Sequence, residues 1–220
     1  MYTLHAIPDF ASLIVHLVLA ELDVPHSLVL HQMDAADLQS PAYLAIHPFG
    51  KIPALETPDG PMFETGAILL YLAEKHGKLA PQAGDPTRAA FLSWFIFANH
   101  NLHTTMMHLI HPYRPGGETA TALITPVAHA SMRAHLATLD AMVARDQPAW
   151  LSPHEPSILS LYLAVILRWT QAFAYDAALN IPTADYPALH AILAALESRP
   201  AVQRVAEIEG LGPNPFTKAA

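Results

Sequence analysis

Residues 52–77 read IPALETPDGPMFETGAILLYLAEKHG, and no other stretch limits the fold of this chain so sharply. Two short runs of strand character lie on either side of Pro58-Asp59-Gly60, residue types that build a tight turn. The second run passes directly into an apolar helical pattern that opens on Glu64-Thr65 and ends at Gly77. Lys75 and His76 fall in its last turn, where cations suit the helix dipole. Strand, turn, strand and helix in immediate succession call for a mixed α/β unit.

The upstream sequence supplies the rest of that unit. MYTLHAI has strand character and stops at Pro8-Asp9. FASLIVHLVLAELDV is helical in pattern, with Leu13, Leu17, Ala20 and Val24 at spacings of three and four. Ser12 stands where an N-cap or first-turn residue would be. PHSLVLHQ is a second strand, and LQSPAYLAIHPFG a loop with a brief helical turn. The order β-α-β, connection, β-β-α predicts an α/β domain over residues 1–78.

A linker at 79–85 lies in the Pro- and Gly-containing KLAPQAGDPTRA, and residues 86–220 read as an all-helical domain. Asp85 and Pro86 predict the start of a helix running to about His111. Thr125-Pro126 predicts another to about Arg145. Ser157 opens SILSLYLAVILRWTQAF, apolar enough to be buried on nearly all sides. Its Ser157-x-x-Ser160 start is a weaker capping box than one closed by an acid. Tyr186 to Ser198 forms a further helix halted by Pro200, and a tail with Pro213 and Pro215 closes the chain.

Charge and composition exclude several functions. The 220 residues carry 19 acids against 11 bases, and residues 1–78 hold only Lys51, Lys75 and Lys78 as bases. No basic stripe exists for a phosphate backbone, so no nucleic acid is expected as partner. The absence of cysteine excludes disulfides, thiolate metal sites and a cysteine nucleophile. The apolar stretch Phe10–Ala20 contains Ser12 and His16 and is too short to cross a membrane. A soluble cytoplasmic protein with no membrane partner is expected.

Two short elements carry candidate chemistry. Pro53 cannot donate to a β-ladder, so it belongs at a strand start or edge. A trans Ile52–Pro53 bond would simply open a strand. A cis bond would turn the chain and leave the N–H and C=O of Ile52 free to pair with a peptide-like ligand. Glu64-Thr65 is either a plain helix start or, through its free N–H groups and the Thr65 hydroxyl, a seat for a carboxylate. Glu64 would then hold an ammonium beside it, and the pair would receive an α-amino acid head. His100, His103, His108 and His111 form two i, i+3 pairs that do not share one stripe, so no metal site is expected.

The run HPFGKIPALETPDGPMFETGAILLYLAEKHG closely resembles the glutathione-binding half of the cytosolic glutathione transferases, and DYPALHAILAALESRPAVQRV resembles that family's penultimate helix. The resemblance spans essentially the whole chain. It implies a thioredoxin-like domain followed by a helical bundle, glutathione as co-substrate, no metal, and a homodimer. It also implies that Pro53 is cis, that the backbone of Ile52 pairs with the cysteinyl part of glutathione, and that Glu64 and Thr65 bind the γ-glutamyl head. Lys51 would lie near the peptide and Gln39 near its glycyl carboxylate.

Members of the family place Tyr, Ser or Cys near the start of the first helix to hold the glutathione thiolate, a hydroxyl donor there lowering the thiol pKa. That position holds Ala11 here, with Ser12 one residue later and His16 where some subgroups carry Arg. Ser12 is the expected catalytic contact, with a pure N-cap role as its alternative. Tyr2 and His5, in the first strand, are lesser candidates. Phe10, Phe97, Asn101, Thr104 and His108 are expected to line the second-substrate pocket, with Met106 and Met107 giving adaptable packing. Phe91, Trp94 and Phe95 are assigned to core or subunit contact. The expected reaction is attack of the thiolate on a small hydrophobic electrophile, as in detoxification, or reduction of a disulfide or peroxide. The alternative is a relative that binds glutathione or a partner without catalysis, since Ala11 replaces the thiol-activating residue.

Overall fold

The computed structural model describes residues 1–32 and 36–219. Strand β1 (Tyr2–Ala6) leads into helix α1 (Ser12–Glu21) and strand β2 (His26–Leu30), which pairs parallel to β1 with Tyr2 opposite His26. A short helix α2 (Pro41–Leu44) precedes β3 (Ala54–Thr57) and β4 (Gly60–Phe63), and α3 (Thr65–His76) closes the unit. The sheet order is β2-β1-β3-β4, with β3 antiparallel to both neighbours. This is the thioredoxin-like arrangement, and its α1 and α3 pack together. Ala54 is opposite Phe63, so Pro53 and Glu64 flank the same end of the β3–β4 ladder.

Residues 77–87 contain no helix or strand. Beyond them the chain is helical: α4 (Arg88–Phe97), α5 (His103–Ile110), α6 (Thr121–Asp146), α7 (Ile158–Ala172), α8 (Pro187–Glu197) and α9 (Pro200–Glu209). Helix α7 is buried along thirteen consecutive positions, Ile158 to Thr170, and contacts α1, α3, α5 and α8. The core is continuous between the strand-bearing and helical parts, joining Leu13, Ile68 and Leu72 to Phe95, Tyr162 and Ile166.

Several sequence expectations are corrected. The helix expected at Asp85-Pro86 begins at Arg88, because the Asp85 carboxylate turns back to accept from the N–H and hydroxyl of Thr87, both at 2.7 Å. The helix expected to reach His111 runs on through helical backbone to Ile110, but widens through a π-helical turn, Ala98–Leu102, that divides it into α4 and α5. Helix α6 starts at Thr121 and takes Pro126 into its interior. Pro200, expected as a stop, is the first residue of α9, where its fixed φ and missing N–H suit a helix start. The capping box of α7 is complete: the Ser157 hydroxyl accepts from Ser160 N–H (3.1 Å) and the Ser160 hydroxyl from Ser157 N–H (2.8 Å).

Candidate functional site

The start of α3 forms one wall of the site. Glu64 joins β4 to α3 with φ 71° and ψ 111°, a backbone conformation that favours glycine. Ile68 N–H is the first to bond within the helix, to Glu64 C=O at 3.0 Å, so the N–H groups of Thr65, Gly66 and Ala67 lead the helix with no turn before them. The Glu64 side chain is exposed and caps nothing. Strained backbone of this kind persists where the surroundings over-determine it, and it concentrates at ligand sites.

The other wall precedes β3. The Ile52–Pro53 bond is cis. The N–H and C=O of Ile52 take no backbone partner among the described residues. Its neighbour Lys51 is exposed, and the Lys51 carbonyl accepts from the Tyr43 hydroxyl at 2.6 Å. Burial, with the Asp37 carboxylate adding to it, pushes the Tyr43 hydroxyl up to about 12, so it remains a donor. Gly50 has φ 57°, and the Gln39 amide lies so close over it that no side chain would fit. Burial holds the His47 ring below its usual pKa against the opposing pull of the nearby Glu64 carboxylate. The structure therefore brings Gln39, Lys51, Ile52, Pro53, Glu64 and Thr65 to neighbouring segments. They offer a half-buried backbone N–H and C=O without a backbone partner among the described residues, an exposed cation, an exposed carboxylate and three leading helix N–H groups.

The loop between β1 and α1 does not hold Ser12 as expected. Ser12 is 0% exposed, and its hydroxyl donates to Ile7 C=O (2.9 Å) and accepts from Ile7 N–H (3.1 Å). It staples the loop to the helix from inside and is not presented to a thiol. Phe10 and Ala11 stand on the accessible side of this loop, Phe10 at 37% exposure. Tyr2 bonds His76 (2.9 Å), and His5 bonds His31 (3.0 Å) and Glu56 (3.2 Å).

Of the residues expected to line a second-substrate pocket, Phe97 and His108 turn toward α6. Phe97 packs edge-on against His135 of α6. His108 lies in a groove between α5 and α6 with Thr105, Leu123 and Val127. Asn101 and Thr104 are exposed. The π-turn changes the register of the α4–α5 segment, and that segment instead turns Asn99 and His103 toward Tyr162. Among the described residues, no three or more His, Asp or Glu side chains are grouped to hold a metal ion.

Sequence reasoning missed the groups that α7 sends across to the strand-bearing unit. Arg168 donates to both carboxylate oxygens of Asp9 at 2.8 Å, and the Trp169 indole N–H donates to Asp9 C=O at 3.1 Å. A signal was present: Tyr162, Arg168 and Trp169 stand in an otherwise apolar run, and buried polar groups need partners.

Residues 1–74 match the family description "Glutathione S-transferase, N-terminal domain". The chain is 32% identical over 182 residues to a protein of Xanthomonas campestris named glutathione S-transferase GST-4.5, across 79% of this chain and 84% of that relative. In structure it is similar to a sphingomonad glutathione S-transferase complexed with glutathione (29% identity, TM-score 0.75, 96% of this chain and all of the other). A Sulfitobacter glutathione transferase homolog with bound glutathione is comparable (26% identity, TM-score 0.77, 94% and 98%). A thioredoxin-like unit carrying a helical domain, with Ile52-Pro53 and the Glu64-Thr65 helix start at the same end of the β3–β4 ladder, defines the class. The chain belongs to the glutathione S-transferase family.

Proposed function

We propose that this protein binds glutathione and uses its thiolate, either to attack a small hydrophobic electrophile or to reduce a disulfide or peroxide. The observation that carries the reading is the start of α3. An exposed carboxylate at Glu64 beside the leading N–H groups of Thr65, Gly66 and Ala67 suits an α-amino acid head, ammonium against carboxylate and carboxylate against the helix start. The backbone of Ile52, without a partner among the described residues and at the same end of the ladder, suits the cysteinyl peptide that hangs from that head. Lys51 and Gln39 then face the glycyl carboxylate. Positioning and stabilisation of the thiolate make up the protein's share of the chemistry.

At the thiol end the charge falls to the N-terminus of α1, since Ser12 is sealed and Ala11 has no hydroxyl. This favours, as a second reading, a relative that binds glutathione without turnover. Titration calorimetry with millimolar glutathione tests the first step, and no heat overturns both readings. Conjugation of a chlorinated nitroaromatic, and reduction of a mixed disulfide, separate enzyme from binder. A homodimer is proposed from the same family membership, with exposed Phe49 (68%) and Ile96 (55%) available to a second copy. A monomer by light scattering would refute it.

A further inference from the structure

A part-buried polar chain runs from Tyr162 of α7 to the start of α3. Asn99 Nδ2 donates to the Tyr162 hydroxyl at 3.1 Å, and that hydroxyl lies 2.6 Å from His103 Nδ1. The Asn99 amide covers Gly66 so closely that a Cβ built there would lie 2.6 Å from Nδ2 and 2.9 Å from Cγ. Gly66 belongs to the first turn of α3, whose leading N–H groups form the proposed head-group seat. The Glu64 carboxylate is close enough to Tyr162 to add to the rise that burial imposes on its hydroxyl pKa.

Burial pushes His103 down to about 4, so the ring is neutral near pH 7. Tyr162 keeps its proton. With Asn99 N–H donating to the Tyr162 oxygen, the Tyr162 O–H has His103 Nδ1 as its acceptor. The ring of His103 is also set edge-on to Tyr162 (5.8 Å) and to Trp169 (5.6 Å), which lie two turns apart on α7. The chain therefore has one polarity, and its far end rests on Gly66.

We propose that Tyr162 is a positioning residue for the amino-acid-head end of the glutathione site, acting through Asn99, with His103 fixing its hydroxyl. The assignment rests on the glutathione reading above. Without the hydroxyl the Asn99 amide is free to rotate, and the first turn of α3 loses the group that sets its height against Glu64. Misplacing binding groups by a fraction of an ångström weakens the ligand without altering chemistry at the sulfur.

Calorimetry and steady-state kinetics with glutathione and with γ-glutamylcysteine, which keeps the head and lacks the glycyl end, test this. Tyr162→Phe retains the core-filling ring and should raise both dissociation constants about five- to tenfold, the loss expected for one buried hydrogen bond. Wherever turnover is measured, kcat at saturating glutathione should stay within about twofold. His103→Leu should reproduce the loss, while His103→Gln, which keeps an acceptor, should restore most of it. Tyr162→Phe added to Asn99→Ala should cost nothing further, because the hydroxyl acts through that amide. Unchanged affinity in folded Tyr162→Phe overturns the assignment, as does full additivity with Asn99→Ala. If Tyr162→Phe does not fold, His103→Leu and its Gln rescue decide. No binding by the unaltered chain overturns this assignment together with the function it rests on, whereas unchanged binding in the variant overturns the assignment alone.

Discussion

Arg168 grips Asp9 across 159 residues of sequence, its Nε and Nη2 each 2.8 Å from one carboxylate oxygen. Nη1 of the same guanidinium donates to Pro215 C=O at 2.9 Å, and the N–H of Asp9 donates to Glu209 at 2.9 Å. Asp9 has φ 59°, so the loop it anchors is bent through the left-handed region and held there from α7 and α9. This is the loop that carries Phe10, 37% exposed, and the half-buried Ala11.

Removing one partner of a buried pair leaves the other charge without compensation. Asp9→Asn is the sparing test, because asparagine tolerates positive φ and keeps the size of the side chain. The Arg168 side chain is only 3% exposed, so the variant should lose about 3 kcal/mol of stability in urea unfolding. A loss below about 1 kcal/mol, the range of exposed pairs, would show that water reaches the pair.

Glu64 predicts an opposition between stability and function. Its φ of 71° costs a non-glycine residue on the order of 1–3 kcal/mol. Part of that returns in Glu64→Gly, less the entropy glycine adds to the unfolded chain. The expected net gain is about 1 kcal/mol, or roughly 2–4 °C in Tm for a chain of this size. Glutathione binding should weaken at least tenfold, the loss of a charged hydrogen-bond partner for the ammonium. A variant that binds as tightly as before would remove Glu64 from the proposed site.

Gly66 reverses a familiar rule. Glycine inside a helix is normally improved by alanine by up to about 1 kcal/mol. Here the new methyl would meet the Asn99 amide at 2.6 Å, so Gly66→Ala should instead destabilise by about 1–3 kcal/mol through overpacking. Gly66→Ala combined with Asn99→Ala should recover most of the loss. A double-mutant cycle from thermal unfolding measures the coupling, and additivity of the two changes would deny the contact.

These cases show which parts of the molecule are legible in its sequence. The β3–turn–β4–α3 succession, the Gly77 stop and the approach of Ile52 to Glu64 depend on neighbours within one hairpin, and local residue chemistry reveals them. Pro200 and Pro126 are ambiguous because proline suits a helix start as well as a stop, and only the packing of the downstream residues decides. Ser12 matches both an N-cap and a thiol contact, and the choice turns on whether Ile7 folds back over it, which no pattern in the run records. The facing side of the α4–α5 segment depends on a π-turn, a one-residue register change without a composition signature. Asp9, Asn99 and Tyr162 matter through contacts with distant residues, so the sequence shows that α7 carries polar groups but not where they go.

His103 makes the acid behaviour of the protein readable. Burial lowers its folded-state pKa to about 4, below the value of roughly 6.5 that an unfolded histidine has. As pH falls below 6.5 the unfolded chain takes up a proton that the folded chain refuses. The stabilising effect of this group is therefore whole above pH 6.5 and is lost as pH falls through about 4. The loss is on the order of 2–3 kcal/mol between these limits. Other groups titrate over the same range, so the measurement is the difference between the unaltered chain and His103→Gln, by urea unfolding at pH 7 and pH 4.5. The unaltered chain should fall further than the variant, which has no group to protonate at that position. Parallel declines would mean that the His103 ring is already reached by water, and that the Tyr162 hydroxyl is not held by a neutral imidazole.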